Sequence, residues 1–182
     1  MKGKIVFETP WFSIEELYPT ASPETGQTTP YYKVNVSRGV VILPVTPGGD
    51  FILIRQYRPV LDKMTIEIPA GAIDSGETPE RAALREFTEE TGYRCKNLIP
   101  VGGGVLRIER EDAVNYFYIA QDVEPVAGRQ PEPGIELLNI SPQDFKELVR
   151  NGQFDHIAAL SIFMMAEFSH GIKLLDENSR SD

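Results

Sequence analysis

The sequence predicts an α+β chain, or a mixed α/β/α sandwich, on three observations. Short runs rich in β-branched and aromatic residues fill most of the first two thirds of its 182 residues. A single well-capped helix interrupts them near residue 80, and two further helical stretches close the chain. The composition, 41% hydrophobic and 25% charged, is that of a globular protein with a sizeable core. The length fits one domain with room for a small subdomain.

Each element has its own signal. "KIVFE" and "FSIEELY" alternate partially and predict one or two short strands within residues 1–20. "PTASPETGQTTP" is a turn or loop by its Pro, Thr, Ser and Gly content. "YYKVNVSRGVVILPVT" and "FILIRQYR" are β-rich, and Pro47-Gly48-Gly49-Asp50 between them reads as a hairpin turn. "TIEIPAG" is a short strand stopped by Pro69 and Gly71.

The central helix takes Thr78 as N-cap, Pro79 at its first position and Gly92 at its end. Ala83, Leu84, Phe87 and Thr91 are expected to pack on a sheet, with residues 86, 89, 90 and 93 opposite. "LIPVGGGVL", "AVNYFYIAQDV" and "IELLNIS" follow as strands, the last after the proline-rich loop "EPVAGRQPEPG". One helix starts at Ser141-Pro142 with Phe145, Leu148 and Val149 as its apolar side. The last covers about 156–170, with Ile157, Leu160, Ile162, Met164 and Phe168 apolar, and ends near Gly171. The tail 173–182 is expected to fray.

Charge and cysteine content exclude several classes. A net charge of −9 argues against a nonspecific nucleic-acid binder, which needs a basic footprint. No apolar run approaches the roughly 18 residues of a membrane span, and "MKGKIVFETPWF" lacks a signal-peptide core. A single cysteine, Cys95, rules out an intrachain disulfide and suits a reducing cytoplasm; it reads as a small semi-buried apolar residue.

The chemistry gathers on the central helix. Glu86 and Glu89 are i,i+3 and Glu86 and Glu90 are i,i+4, so three carboxylates share two turns. Taken alone, that spacing fits a solvated acidic face or a site for a hard divalent cation, which takes oxygen ligands. Arg85 beside the cluster, Glu77 ahead of the helix and the Ala70-Gly71 corner raise the cation to parity with the solvated face, so both readings stand at this point.

Gly71, Glu77, Arg85-Glu86-Phe87, Glu89-Glu90 and Gly92-Tyr93 stand at the spacing of a complete Nudix box, which this stretch resembles. Phe87 and Tyr93 occupy places where that family more often has Ile, Leu or Val. The resemblance implies an α/β/α Nudix sandwich with a mixed central sheet. It also implies hydrolysis of a nucleoside diphosphate linked to another moiety, with Mg²⁺ or Mn²⁺. By position Glu86 and Glu90 are implied metal ligands, Glu89 a ligand or water-orienting group, and the Ala70 carbonyl a further ligand. Arg85 and Glu77 are implied to form a supporting salt bridge.

Upstream, "RQYR" and "EIPAG" are similar to the ADP-ribose pyrophosphatase and nucleotide-sugar branch. That likeness implies a small N-terminal antiparallel sheet (residues 1–35), a homodimer, a Nudix domain over 36–172 and a tail 173–182. Arg58 becomes the candidate phosphate contact and Arg55 a weaker one. Glu67 is a support for the metal site or a strand-end charge, and Trp11 a stacking platform, a core residue or an interface residue. The branch places a general base in the loop before the last strand. Glu132 is the first candidate there and Glu136 the second.

The segment "VGGGVLRIEREDAV" lacks the proline that this branch usually carries after the box, so ADP-ribose specificity stays open. Other nucleoside diphosphate sugars such as GDP-mannose, dinucleoside polyphosphates and a non-catalytic nucleotide-binding role stand as alternatives. Glu109, Arg110, Glu111 and Asp112 there either line the site or form a solvated turn.

Overall fold

The computed structural model describes residues 3–17 and 30–176. The chain divides into two compact units, Met1–Arg38 with Gly104–Asn115, and Gly39–Gly103 with Tyr116–Asp182.

In the first unit β1 (Gly3–Glu8), β2 (Phe12–Leu17) and β3 (Tyr31–Val36) form an antiparallel sheet in that order. Thr9 Oγ1 accepts from the Trp11 and Phe12 amides and folds the turn between β1 and β2. The charged segment 109–112 docks on β3. The Val34 amide donates to the Arg110 carbonyl at 2.8 Å, the Arg110 guanidinium lies 4.7 Å over the Tyr31 ring, and Lys33 pairs with Asp112. These residues therefore serve the small sheet.

The second unit contains β4 (Gly39–Pro44), β5 (Phe51–Arg58), β6 (Lys63–Glu67), β7 (Ala70–Ala72), α1 (Pro79–Thr91) and β8 (Tyr93–Arg94). It continues with β9 (Asn97–Val105) and β10 (Val114–Gln121), apart from their ends at 104–105 and 114–115, and with β11 (Glu124–Pro125), β12 (Glu136–Ile140), α2 (Pro142–Arg150) and α3 (Ser161–His170). Strands pair in the orders β7-β4-β10-β9, β12-β5-β6 and β11-β8.

β4 shows why the layers form. Every residue in it is buried, as a strand covered on both faces requires. Val40 and Ile42 pack with Ala82, Ala83 and Phe87 of α1, while Val41 and Leu43 pack with Phe145 of α2 and Ile162 and Phe163 of α3. The period-two alternation thus feeds two cores, and the unit is the expected α/β/α sandwich. Phe51, Phe145 and Phe163 meet at centroid distances of 4.9–5.6 Å in the α2/α3 core.

Three expectations are corrected. The turn at 46–50 forms, with Gly49 N–H donating to Thr46 O, but β4 and β5 bridge only at Val45–Phe51. Both edges of β4 are taken by β7 and β10, so β5 enters the other sheet. The strand in "TIEIPAG" stops at Glu67, ahead of Pro69 as expected, but Gly71 does not end the run. That proline marks the crossing between sheets, and Ala70–Ala72 resumes as β7 against Val41–Gly39. The closing helix begins with a 3-10 turn at Ile157–Leu160 before α3, which leaves Ile157, Met164 and Phe168 exposed. The expected fraying of the tail concerns mainly residues outside the described set.

Candidate active site

α1 is set as its sequence dictates. Thr78 Oγ1 accepts from the Arg81 amide, and Gly92 closes the helix at φ 72°, the left-handed cap that glycine adopts freely. The expected facing needs correction. Ala82, Ala83, Phe87, Glu90 and Thr91 are the buried positions, and Leu84 is exposed. At about 100° per residue, position 90 falls within about 20° of position 83, so Glu90 belongs to the packed stripe, Glu86 flanks it about 60° away, and only Glu89 turns outward.

That placement forces the carboxylates against β7. A Cβ on Gly71 would lie 1.9 Å from Glu86 Cδ, so this corner admits the Glu86 carboxylate only because residue 71 lacks a side chain. Glu90 is 7% exposed and accepts the Ala70 amide at 2.9 Å. Burial, with the charges of Glu86 and Glu132 adding to it, pushes its carboxyl up to about 8 against the single opposing amide bond and the Arg58 charge. Glu86 is raised in the same direction, first by burial and then by Glu89 and Glu132, against the Arg85 guanidinium.

Arg85 holds the cluster from one side. Its Nε and Nη2 donate to the two Glu77 oxygens at 3.1 and 2.9 Å, and Nη1 donates to Glu86 and Glu89 at 2.8 and 3.1 Å. Nη2 also reaches the Ala72 carbonyl. The guanidinium is locked in its charged form, chiefly by Glu77.

The loop before β12 is tied to the end of α1. The Val126 amide donates to Gly92 O and the Glu132 amide to Glu89 O at 3.1 Å. A Cβ on Gly92 would meet Arg129 O at 3.2 Å, so the cap glycine also lets this loop approach. Glu132 is exposed and close enough to raise both Glu86 and Glu90 electrostatically. Glu136 instead pairs with Arg55, opposite it in the β5–β12 register. Arg55 is thereby directed to its neighbouring strand.

Arg58 and Glu67 form the other side. Arg58 Nε and Nη2 donate to Glu67 at 2.7 and 2.6 Å, and Nη1 makes no hydrogen bond among the described residues. Glu67 is 8% exposed, yet the Arg58 and Thr65 hydrogen bonds outweigh its burial and hold its carboxyl below the usual range. The charge of Arg58 also reaches Glu90. Trp11 lies in the first unit, 80% exposed at the β1–β2 turn, which removes the core role considered for it. Cys95 is partly buried, as expected, and burial raises its thiol.

Among the described residues no three acidic, histidine or cysteine side chains already form a closed metal cage. One buried and one half-buried carboxylate at a glycine-cleared backbone corner, both raised chiefly by burial, are nevertheless a donor set that suits a hard divalent cation. Such an ion commonly completes its shell with water and phosphate oxygens.

The NUDIX domain model matches residues 36–160, which contain all of this machinery except Trp11. The chain belongs to the NUDIX family. An ADP-ribose pyrophosphatase of Bacillus subtilis (strain 168) is 30% identical over 115 residues, 62% of this chain and 62% of that protein. The methanol dehydrogenase activator of Bacillus methanolicus is 28% identical over 69% of each chain. The ADP-sugar pyrophosphatase of Mus musculus is 35% identical over 50% of this chain and 46% of its own. This NUDIX chain therefore spans somewhat under two thirds of the length of the first of these relatives and about half of the mouse one. A crystal structure of an ADP compounds hydrolase shares the fold, with TM-score 0.75 at 19% identity over 94% of this chain and 95% of the other.

Two residues beside Glu67 escaped sequence reasoning. Thr65, 1% exposed, donates to Glu67 Oε1 at 2.6 Å, and its place two residues earlier on the same strand face could have revealed it. His156 arrives from the far end of the chain, acts on Glu67 electrostatically and keeps a buried Nδ1 without a hydrogen-bond partner among the described residues. No local pattern marks it.

Proposed function

We propose that this NUDIX protein hydrolyses the pyrophosphate of ADP-ribose or a related nucleoside diphosphate sugar, giving a nucleoside monophosphate and a sugar phosphate. The observation that carries the reading is the pair Glu86 and Glu90 pressed against the Ala70-Gly71 corner, with Arg58 in electrostatic reach. The names of the Bacillus subtilis and mouse relatives support the substrate class.

In this reading Glu86, Glu90 and the Ala70 carbonyl hold Mg²⁺ or Mn²⁺, with Glu89 as a further ligand or as the group that orients water. When bound, the ion neutralises phosphate charge and lowers the pKa of water. Arg58 offers its uncommitted Nη1 to a phosphate oxygen while Glu67, Thr65 and Gln56 fix its plane. Glu77 and Arg85 keep the carboxylates aimed. Glu132 takes the proton as water adds to phosphorus, the bridging P–O bond breaks, and the leaving phosphate departs with the bond's electrons. Tethered to Glu89 and unpaired with any arginine in the hydrogen-bond network described above, Glu132 is the better base than Glu136, which Arg55 occupies.

The first unit is read as a dimerisation sheet. Ile5, Val6, Phe7, Phe12, Tyr31 and Tyr32 on three short strands, with Trp11 at their turn, are all more than a third exposed, more apolar surface than such a sheet leaves to water alone. No described helix is long and apolar enough to cross a membrane, and the acidic balance keeps nucleic acid out of the partner set. A cytoplasmic setting remains the proposal.

Incubation with Mg²⁺ or Mn²⁺ and a panel of ADP-ribose, ADP-glucose, GDP-mannose and a dinucleoside polyphosphate tests the reading by release of nucleoside monophosphate. Turnover of the ADP-linked sugars is expected; no turnover of any member sinks it. Glu132→Gln should lower kcat by roughly 10²–10⁴-fold, the usual share of a general base, with metal affinity little changed. An unaltered rate would remove Glu132 from that role.

A further inference from the structure

Beside Arg58 a cavity of about 300 Å³ opens between the β5–β6 turn and the residues that precede the 3-10 turn. Its two walls differ in chemistry. Val60 and Leu61 stand over it as large aliphatic side chains, 96% and 56% exposed, without a core to join. They are held there by local geometry: the Leu61 amide donates to Arg58 O at 3.0 Å, and Asp62 takes a left-handed conformation at φ 50°. The opposite side presents Thr65, Glu67, Asp155 and His156. Asp155 is fixed by its amide on Ile66 O and by Lys63, so this side is built and not adaptable.

The chemistry of the lining selects the occupant. Asp155, held by Lys63 through one oxygen only, and a histidine whose burial disfavours its charge can accept hydrogen bonds from hydroxyls, while Glu67 is already taken up by Arg58, Thr65 and Gln56 and closes the wall. Arg58 is the cationic side chain in the lining, so a phosphate can rest only at that edge. Among the described residues no phenylalanine, tyrosine or tryptophan lines the space, so the large stacking rings from which a nucleobase gains most are missing. A volume at the lower end of ligand pockets suits a single sugar ring. Aliphatic contact on one face and acceptors on the other match a polyol ring, whose C–H face is apolar and whose hydroxyls donate.

The geometry points to this cavity as the subsite for the sugar half of the substrate, with Val60 and Leu61 setting which sugar is accepted. The inference rests on the pyrophosphatase reading and deepens it. Arg58 links the two sites, because its guanidinium borders the cavity and acts electrostatically on Glu90. A diphosphate gripped there would leave its sugar beside Leu61.

The test varies one half of the substrate at a time in Leu61→Trp, a change at an exposed position that adds bulk over the cavity. Between ADP-ribose and ADP-glucose, which differ only in the sugar, the ratio of kcat/KM should shift by about tenfold or more, the scale of a steric change in a pocket. Between ADP-ribose and inosine diphosphate ribose, which differ only in the base, the ratio should stay put. Ribose 5-phosphate should inhibit the variant correspondingly less than wild type, while inhibition by AMP is retained. Leu61→Ala, which opens the wall, should relax sugar preference and guards against a misfolded tryptophan variant.

Wild-type turnover with no change in sugar preference in either variant would overturn the subsite while leaving the pyrophosphatase reading standing. A shift confined to the base pair of substrates would reassign the cavity to the nucleobase and likewise overturn it. Absence of turnover in the wild type would defeat the underlying reading and this inference with it.

Discussion

Glu90→Gln is expected to lower kcat by roughly 10²–10³-fold, the effect of deleting one preorganised charged group, while the fold survives. Survival follows from the surroundings and not from exposure, because Glu90 is buried. A glutamine keeps an oxygen for the Ala70 amide and removes a charge that burial disfavours. The same substitution changes the response to pH. In the ion-free protein the Glu90 carboxyl is raised to about 8, well above its unfolded value, so the folded state holds a proton that the unfolded state has released. Its stabilising contribution is complete below the ordinary carboxylate range and is lost as pH rises through about 8. Thermal melts in a chelator should therefore show wild-type Tm falling across that window more than the Gln variant's. Mg²⁺ should restore wild-type Tm most at the alkaline end, where the carboxylate is ready to bind it. A Gln variant with near-wild-type turnover would show that Glu90 is not a ligand.

The part of the site that could be read from sequence was the part that is local. Glu77, Arg85, Glu86, Glu89 and Glu90 lie on one helix and its lead-in, where spacing fixes mutual position, and Arg85 does join Glu77, Glu86 and Glu89. Burial was harder to read. Helical period alone placed Glu90 on an outer face, but the face is set by which side meets β4 and β7, and the small residues Ala82 and Ala83 let that side roll toward the carboxylates. Sheet order was also illegible at Pro47–Asp50 and Pro69. A turn signal says that the chain reverses; it does not say that both edges of β4 are already occupied. His156 and Asp155 could not be placed beside Glu67 because about ninety residues separate them along the chain, and only the docking of the segment before α3 on β6 brings them together. The segment 109–112 escaped for the same reason, since its partners Tyr31 and Lys33 come from the other end of the first unit.

Gly71→Ala should separate folding from chemistry more sharply than any change to a carboxylate. Gly71 is not among the glycines with positive φ, so alanine meets no backbone strain there, and a gain of up to about 1 kcal/mol from the unfolded state is available. Its new Cβ would nevertheless fall 1.9 Å from Glu86 Cδ and 2.2 Å from both carboxylate oxygens. What must yield is the end of a flexible side chain, not backbone, so Glu86 swings out of the corner and the sandwich stays closed. Far-UV spectra and Tm should stay close to wild type. The Mg²⁺ concentration for half-maximal rate should rise by about 10–100-fold, the scale of disturbing the support of a metal ligand. Glu86→Gln in the same assay should be no better than Gly71→Ala, and the double variant should cost little more than either alone, because both remove one carboxylate from one place. Additive losses would mean that Gly71 serves something other than the approach of Glu86, and an unchanged Mg²⁺ requirement would show that this approach is not how the ion is held.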